Sequence, residues 1–329
     1  MASPLPLPTI DLQLTNAVDD LRRSFAGLGF AQLVGHEVSR DASSGLRAAC
    51  DDFFAAPEAA KVRHSDPDPL ANRGYRAKGA EALSYSLGQP SPPDLFESFN
   101  CGADDRVGSS PLLQPTPWPD ELAPAFRTAA HAYLIEMEHL AQRLDQLVDE
   151  ALGLALFASS SMRGPDTMAC INYTPGPAGD DGSVHGQQRM GAHSDYTTFT
   201  ILEADPVPGL QIVDPHGRWS DVIPEPGALL VNVGDVLAMT TNDRWPSTLH
   251  RVVPMHAGAA AERRSIAYFH YPDLDVEIVP HPSFVSATRP ARYRPTTIAA
   301  HLAAKLAGPK VHRPSSGPST VAGRLDDLT

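Results

Sequence analysis

Cysteine is scarce. Cys50, Cys101 and Cys170 are the only three among 329 residues. The number is odd and none stands at C-x-x-C spacing, which argues against a disulfide framework or a thiolate zinc ribbon and for a reducing compartment, the cytoplasm. Basic charge is also short, with 26 Lys+Arg against 39 Asp+Glu and a formal net charge of −13. A general nucleic-acid binder needs a basic face, so that class is set aside, although a local basic pocket stays open. No apolar run reaches the roughly 18–20 residues that span a bilayer. The start, Met1 to Pro6, lacks the basic and apolar regions of a signal peptide. A soluble cytoplasmic protein with no membrane partner is expected.

What is present suffices for a core. Hydrophobic residues make up 42% and charged residues 20%, too few charges for a disordered acidic chain. The length allows one large domain or two small ones. Residues 8–65 read as a short apolar start, a helix with Val18, Leu21, Phe25 and Leu28 at helical spacing, a strand at Phe30–Val34, and a second helix with Leu46, Cys50, Phe53 and Phe54 on one face. Residues 65–120 are rich in Pro, Gly, Ser and Asp and read as a long loop region with one strand at Leu95–Asn100. About 121–154, Tyr133, Met137, Leu140, Leu144, Leu147, Val148 and Ala151 step by three and four, which predicts a long amphipathic helix whose stripe is core.

From about 167 to 280 the period changes to two. Strands are expected at Met168–Tyr173, Tyr196–Leu202, Leu210–Val213, Leu229–Val233, Val236–Thr240, Leu249–Val253 and Ser265–Tyr271, with Gly/Pro turns between them. The 32 prolines serve as punctuation outside the strands. The pattern predicts a sandwich or barrel. Thr296–Leu306 reads as a short helix and the tail from Gly308 as poorly ordered.

The chemistry concentrates in Gly191-Ala192-His193-Ser194-Asp195. Side chains at i and i+2 of a strand share a face, so His193 and Asp195 can present an imidazole and a carboxylate together. His250, in Thr248-Leu249-His250-Arg251-Val252, is the candidate third ligand. Two His and one carboxylate on one side of a metal make the facial triad of non-haem Fe(II) oxygenases. By itself H-x-D is a weak signal, and a lone His250 would read as structural. A further element adds weight. Arg263 and Ser265 share one face of a strand that continues as the apolar run Ile266–Phe269. A guanidinium facing a barrel interior needs an anion, and a dicarboxylate cosubstrate would supply it. Arg264 should point the other way, to a surface salt bridge. Phe269 should face inward, as core or as a wall of the substrate pocket.

These motifs, in that order and spacing, resemble the isopenicillin N synthase-like family of Fe(II)/2-oxoglutarate-dependent dioxygenases. The resemblance covers nearly the whole chain. It includes Leu5–Leu12, Gly29-Phe30 through Gly35-His36, Asp52-Phe53-Phe54, Arg73-Gly74-Tyr75, Asp94–Phe99, Gly209-Leu210-Gln211, Asn232-Val233-Gly234-Asp235 and Arg292–Thr296. It implies a mainly β fold with flanking helices: a double-stranded β-helix (jelly roll) with an N-terminal α/β layer and a C-terminal helix. Residues 1–120 would form the N-terminal part. Residues 121–307 would hold the support helix, the catalytic core and the C-terminal helix, leaving 308–329 as a flexible tail. The implied roles are Fe(II) binding by His193, Asp195 and His250, and capture of the distal carboxylate of 2-oxoglutarate by Arg263 and Ser265. The family's Asn-x-Tyr element maps onto Ile171-Asn172-Tyr173-Thr174-Pro175, so Tyr173, or else Thr174, would touch the cosubstrate. The implied reaction consumes O₂ and 2-oxoglutarate, releases succinate and CO₂, and oxidises a small-molecule substrate, most simply by hydroxylation. No nucleic acid, membrane or obligate protein partner is implied. Residues 65–110 and the C-terminal segment would shape the substrate pocket, and a small acid could use Arg73 or Arg76. Three other readings stand beside this one: a 2-oxoglutarate-independent Fe(II) oxidase, a zinc hydrolase, and a non-catalytic binding protein on the same fold.

Overall fold

The computed structural model describes residues 4–68, 71–108, 110–157, 164–175, 186–254 and 262–311. Strand β1 (Thr9–Asp11) pairs in parallel with β2 (Phe30–Val34), and α1 (Ala17–Gly27) connects them. Helix α2 (Arg40–Phe54) begins where the Ser39 hydroxyl accepts the Ala42 N–H at 3.3 Å, an ordinary N-cap. A one-turn helix α3 (Glu58–Lys61) follows. Both α1 and α2 pack on α4 (Phe126–Leu152). The stripe on α4 is buried as its spacing predicts, with Leu147 partly so. The helix starts at Phe126, not 121, because Pro124 has no N–H to continue a helical ladder through it.

Ten further strands build the core: β3 (Gly74–Arg76), β4 (Glu97–Cys101), β5 (Thr167–Tyr173), β6 (Met190–His193), β7 (Phe199–Ala204), β8 (Leu210–Val213), β9 (Trp219–Asp221), β10 (Leu229–Val233), β11 (His250–Val252) and β12 (Arg263–His270). They form an eight-stranded sheet, β1-β2-β10-β7-β12-β5-β4-β3, and a four-stranded sheet, β6-β11-β8-β9. This is the jelly roll with flanking helices that the sequence led us to expect. Alternation divides the large sheet between two jobs. Met168, Cys170, Phe199, Ile201, Ile266 and Tyr268 point to the helical layer and join its core. Ala169, Ile171, Thr200, Leu202, Ser265 and Ala267 point the other way and line a cavity. Ala267 pairs with Ala169 on one side and Leu202 on the other, so small side chains on the central strands hollow out the floor.

Three expectations need correction. Val236–Thr240 is not a strand; Asp235–Thr240 is helix α5, with Asp235, Val236, Leu237, Ala238 and Met239 all buried. A short apolar run enclosed on every side carries no helical stripe, so strand and helix look alike in sequence. The strand expected from Tyr196 begins only at Phe199, because the preceding carbonyls are taken by the turn into α5. Asp195 O, Thr197 O and Thr198 O accept from Asp235, Val236 and Gly234 N–H at 2.8, 3.0 and 2.9 Å. That approach is so close that a Cβ on Gly234 would stand 2.1 Å from the Thr197 carbonyl oxygen. Finally, the C-terminal helix is longer than expected. Thr296–Thr297 is a strand, β14, paired with β13 (Glu277–Ile278), and α6 runs from Ile298 to Val311 through Pro309. Packing on the Leu83–Leu87 turn overrides the proline, whose carbonyl accepts from Ala82 N–H at 3.2 Å. The rest of the expected tail, from residue 312, lies outside the described residues.

Candidate active site

His193 ends β6 and His250 begins β11, and the two residues are direct cross-strand partners. Asp195 follows in the turn after β6. The sheet register therefore collects the three residues that the motif spacing singled out. Each offers one donor atom, and the three atoms lie within 4.8 Å of one another. His193 Nε2 and His250 Nε2 stand 3.7 and 3.6 Å from the same oxygen, Asp195 Oδ1.

Neighbouring groups set each donor. His193 Nδ1 meets the Gly191 carbonyl at 2.8 Å and His250 Nδ1 meets the Thr248 carbonyl at 3.1 Å. A carbonyl only accepts, so each Nδ1 carries the proton and each Nε2 presents a lone pair. Burial, and then the neighbouring His250, lowers the His193 pKa to about 4 against the pull of Asp195, which keeps the imidazole neutral. Asn232 Nδ2 donates to Asp195 Oδ2 at 2.7 Å, leaving Oδ1 as the oxygen turned to the imidazoles. Gly191, within β6, admits the close approach of the Leu83–Leu87 segment: a Cβ there would press on Ser84 Oγ at 2.7 Å and on Asp94 Oδ1 at 3.0 Å. Asp94 itself accepts the Gly191 N–H at 2.9 Å. Two imidazoles and a carboxylate on one side of an open cavity fit Fe(II), and by donor type alone they would also fit zinc.

The cavity joins the donors to the expected anion site. It opens to solvent and is lined mostly by apolar side chains with a few convergent polar groups, the character of a small-molecule site. Arg263 and Ser265 line it, both buried, with Arg263 Nη1 donating to Ser265 Oγ at 3.2 Å. Burial lowers the Arg263 pKa to about 10, so the guanidinium remains charged at neutral pH. Arg264 points away, as alternation predicts, to Asp51 and to Asn172. Tyr173 is buried and is the cross-strand partner of Arg263. Thr174 turns its hydroxyl to the Asn172 Nδ2–H at 3.2 Å, beside Glu97. Phe269 lines the cavity and also packs against the apolar cluster under α6.

The remaining wall comes from the two expected segments. Asn72, Glu81, Leu83, Phe96, Ser98 and Asn100 arrive from the first, and Leu306, Pro309 and Lys310 from α6. Arg73 and Arg76 are not among the lining residues. Arg73 Nη1 is spent on Asn72 O and Thr167 Oγ1, at 2.8 and 2.7 Å, and Arg76 Nε lies 3.8 Å from Glu81. Sequence reasoning missed Asn232 and Arg189. The signal for Asn232 was an amide in an otherwise apolar strand. For Arg189 it was the alternation carried back from His193 through Gly191.

Comparisons with known proteins agree with this geometry. Residues 165–272 match the 2OG-Fe(II) oxygenase superfamily, and residues 7–121 match the N-terminal region of the non-haem dioxygenases described for morphine synthesis. The 2-oxoglutarate-Fe(II) type oxidoreductase hxnY of Emericella nidulans is 31% identical over 85% of this chain and 81% of its own. The validamycin A dioxygenase of Streptomyces hygroscopicus subsp. limoneus is 31% identical over 83% of this chain and 79% of its own. Among solved structures, a full-length Neurospora crassa protein in complex with alpha-KG (2-oxoglutarate) superposes with a TM-score of 0.81 at 27% identity, over 93% of this chain and 97% of that one. The same protein with alpha-KG and thymine gives 0.78 at 27% identity, over 93% and 98%. The chain belongs to the 2OG-Fe(II) oxygenase superfamily and is a 2-oxoglutarate-dependent Fe(II) dioxygenase, an oxidoreductase.

Proposed function

We propose that His193 Nε2, Asp195 Oδ1 and His250 Nε2 hold the iron, and that Arg263 and Ser265 receive the distal carboxylate of 2-oxoglutarate, with Tyr173 beside them. One observation carries this reading. The three donors and the buried Arg263 face one cavity. The prime substrate is a small molecule and its oxidation a hydroxylation: R–H, O₂ and 2-oxoglutarate give R–OH, succinate and CO₂. When bound, the iron supplies the activation of O₂ coupled to oxidative decarboxylation. The chain's own contributions are geometry and dryness. The backbone carbonyls of Gly191 and Thr248 orient the imidazoles, Asn232 orients the carboxylate, and the apolar walls exclude water.

The substrate end is built around Asn72 and Asn100. Asn100 Nδ2 donates to Asn72 Oδ1 at 2.9 Å, while the buried Asn100 Oδ1 has no hydrogen-bond partner among the described residues. A buried acceptor left unsatisfied favours a ligand that brings an N–H or O–H to it. We read the substrate as a compact, mostly apolar molecule with such a donor. We also read the chain as an N-terminal part to residue 120 and a catalytic part from 121, acting in the cytoplasm without a nucleic-acid, membrane or obligate protein partner. Among the described residues no helix is long and apolar enough to cross a membrane.

The test is succinate release from 2-oxoglutarate by the Fe(II)-loaded protein, screened against small molecules with and without an amide or hydroxyl donor. Stimulation by at least one donor-bearing compound is expected, lost in His193→Ala and Asp195→Ala. Undiminished turnover in both variants would sink the metal assignment.

A further inference from the structure

Arg189 stands just before β6 and is 1% exposed. Its guanidinium carbon lies 3.9 Å from the centre of the Tyr173 ring. Tyr173 is in turn the cross-strand partner of Arg263. Two arginines and a tyrosine thus gather where β5 ends and β6 and β12 begin. Nε, Nη1 and Nη2 of Arg189 all lack a hydrogen-bond partner among the described residues, as does Nε of Arg263. Neither arginine forms an ion pair with a described residue.

The magnitudes show that this arrangement is incomplete. Burying an unpaired charge costs more, even after relaxation, than a desolvated cation–π contact returns. Stacking on Tyr173 therefore does not offset the burial of Arg189, and the two guanidiniums also repel each other. A buried pair of like charges is stable only if an anion joins it. The anion that the reaction itself supplies is the dicarboxylate cosubstrate.

We propose that Arg189 is a positioning residue for 2-oxoglutarate: it fixes the Tyr173 ring beside Arg263 and adds the second positive charge that makes this end of the cavity select a dicarboxylate. The proposal rests on the reading that Arg263 and Ser265 receive the distal carboxylate. A purely structural role for Arg189 makes the opposite forecast about stability, since a structural residue destabilises the fold when removed. An arginine that waits for a ligand leaves the ligand-free protein no worse without it.

The experiment titrates 2-oxoglutarate into the Mn(II)-loaded protein by calorimetry and records melting temperatures without cosubstrate. Arg189→Met is expected to weaken binding about 10- to 100-fold, with a melting temperature equal to or above that of the parent. Arg189→Lys should recover part of the affinity, and Arg189→Gln serves should the Met variant not fold. Affinity within about two-fold of the parent in the neutral variants overturns the proposal. So does a loss matched by destabilisation that Lys does not rescue, and so does full 2-oxoglutarate affinity with a raised KM for the prime substrate alone. Arg263→Met is the control for the underlying reading. If it too keeps full affinity, the assignment of the whole cosubstrate end fails, not only the role of Arg189.

Discussion

Asn232 holds one oxygen of Asp195, and the other oxygen of the same carboxylate stands between the two imidazoles. The 2.7 Å bond from Asn232 Nδ2 to Oδ2 crosses from β10 to the turn after β6, so it joins the large sheet to the edge of the small one. Without it, both oxygens would be equivalent and the carboxylate free to rotate. Asn232→Ala is predicted to weaken metal binding about 10- to 100-fold, the usual effect of losing such an orienting partner. Mn(II) titration of the metal-free protein measures it. Unchanged metal affinity would refute the orienting role.

Ala267 controls the floor of the cavity between Ala169 and Leu202. Ala267→Phe places a ring in open space and not in packed core, so its stability cost should stay below the ~1–3 kcal/mol of ordinary overpacking. Substrate-stimulated succinate release is expected to fall at least about ten-fold, as filling a preformed pocket removes its contacts. The basal, substrate-free decarboxylation should fall less. Equal loss of both activities would mean that Ala267 borders the cosubstrate and not the substrate.

His270 titrates with the sheet–helix interface. Its ring meets Asp166 Oδ2 and Asp145 Oδ2, each at 3.1 Å. Burial alone would lower its pKa, but Asp166 and Asp145 outweigh burial and raise it to about 10. Burial pushes Asp145 upward as well, so Asp166, which also pairs with Arg106 at 3.4 Å, is the firmer counter-ion. A raised histidine pKa stabilises fully below its unfolded value near 6.5, and that contribution is lost as pH rises through the folded value. The melting temperature should therefore decline between pH 7 and pH 10. His270→Asn should be less stable at pH 7 and flatter across that window. A variant whose profile parallels the parent would contradict the assignment.

Lys305 and Asp235 form a fully buried ion pair at 3.3 Å that ties α6 to α5. His301 Nε2 approaches the same Asp235 oxygen at 3.6 Å. Lys305→Met takes the buried cation away from a buried carboxylate, so it should cost about 3–5 kcal/mol in denaturant unfolding. A cost below about 1 kcal/mol, the level of an exposed pair, would show that water reaches the site.

The three proposed metal donors were legible because strand alternation and register are written locally. His193-Ser194-Asp195 states its own geometry, and His250 needs only one antiparallel pairing to join it. Arg263 and Ser265 were legible for the same reason, and register sets Tyr173, not Thr174, opposite Arg263. Arg189 was only faintly marked, by the alternation carried back from His193, since an arginine just ahead of a short strand looks like any surface arginine until Tyr173 is placed against it. Helix α5 escaped because its apolar residues face protein on all sides. The run of α6 through Pro309 escaped because long-range packing, not local propensity, extends it.

Helix α6 also has a consequence for the order of assembly. The proposed metal donors lie within one stretch, His193 to His250, and their strands pair directly. The far wall of the cavity is closed by contacts of far longer reach, such as Lys310 Nζ to the Ala71 carbonyl at 3.2 Å, 239 residues apart. Contacts of such separation form late, after shorter loops have closed. The protein should thus acquire the means to bind iron before it acquires a place for its substrate. Pulsed hydrogen exchange during refolding should protect β6 and β11 ahead of α6, and the reverse order would refute this. A folding chain in that interval holds a competent metal site open to water.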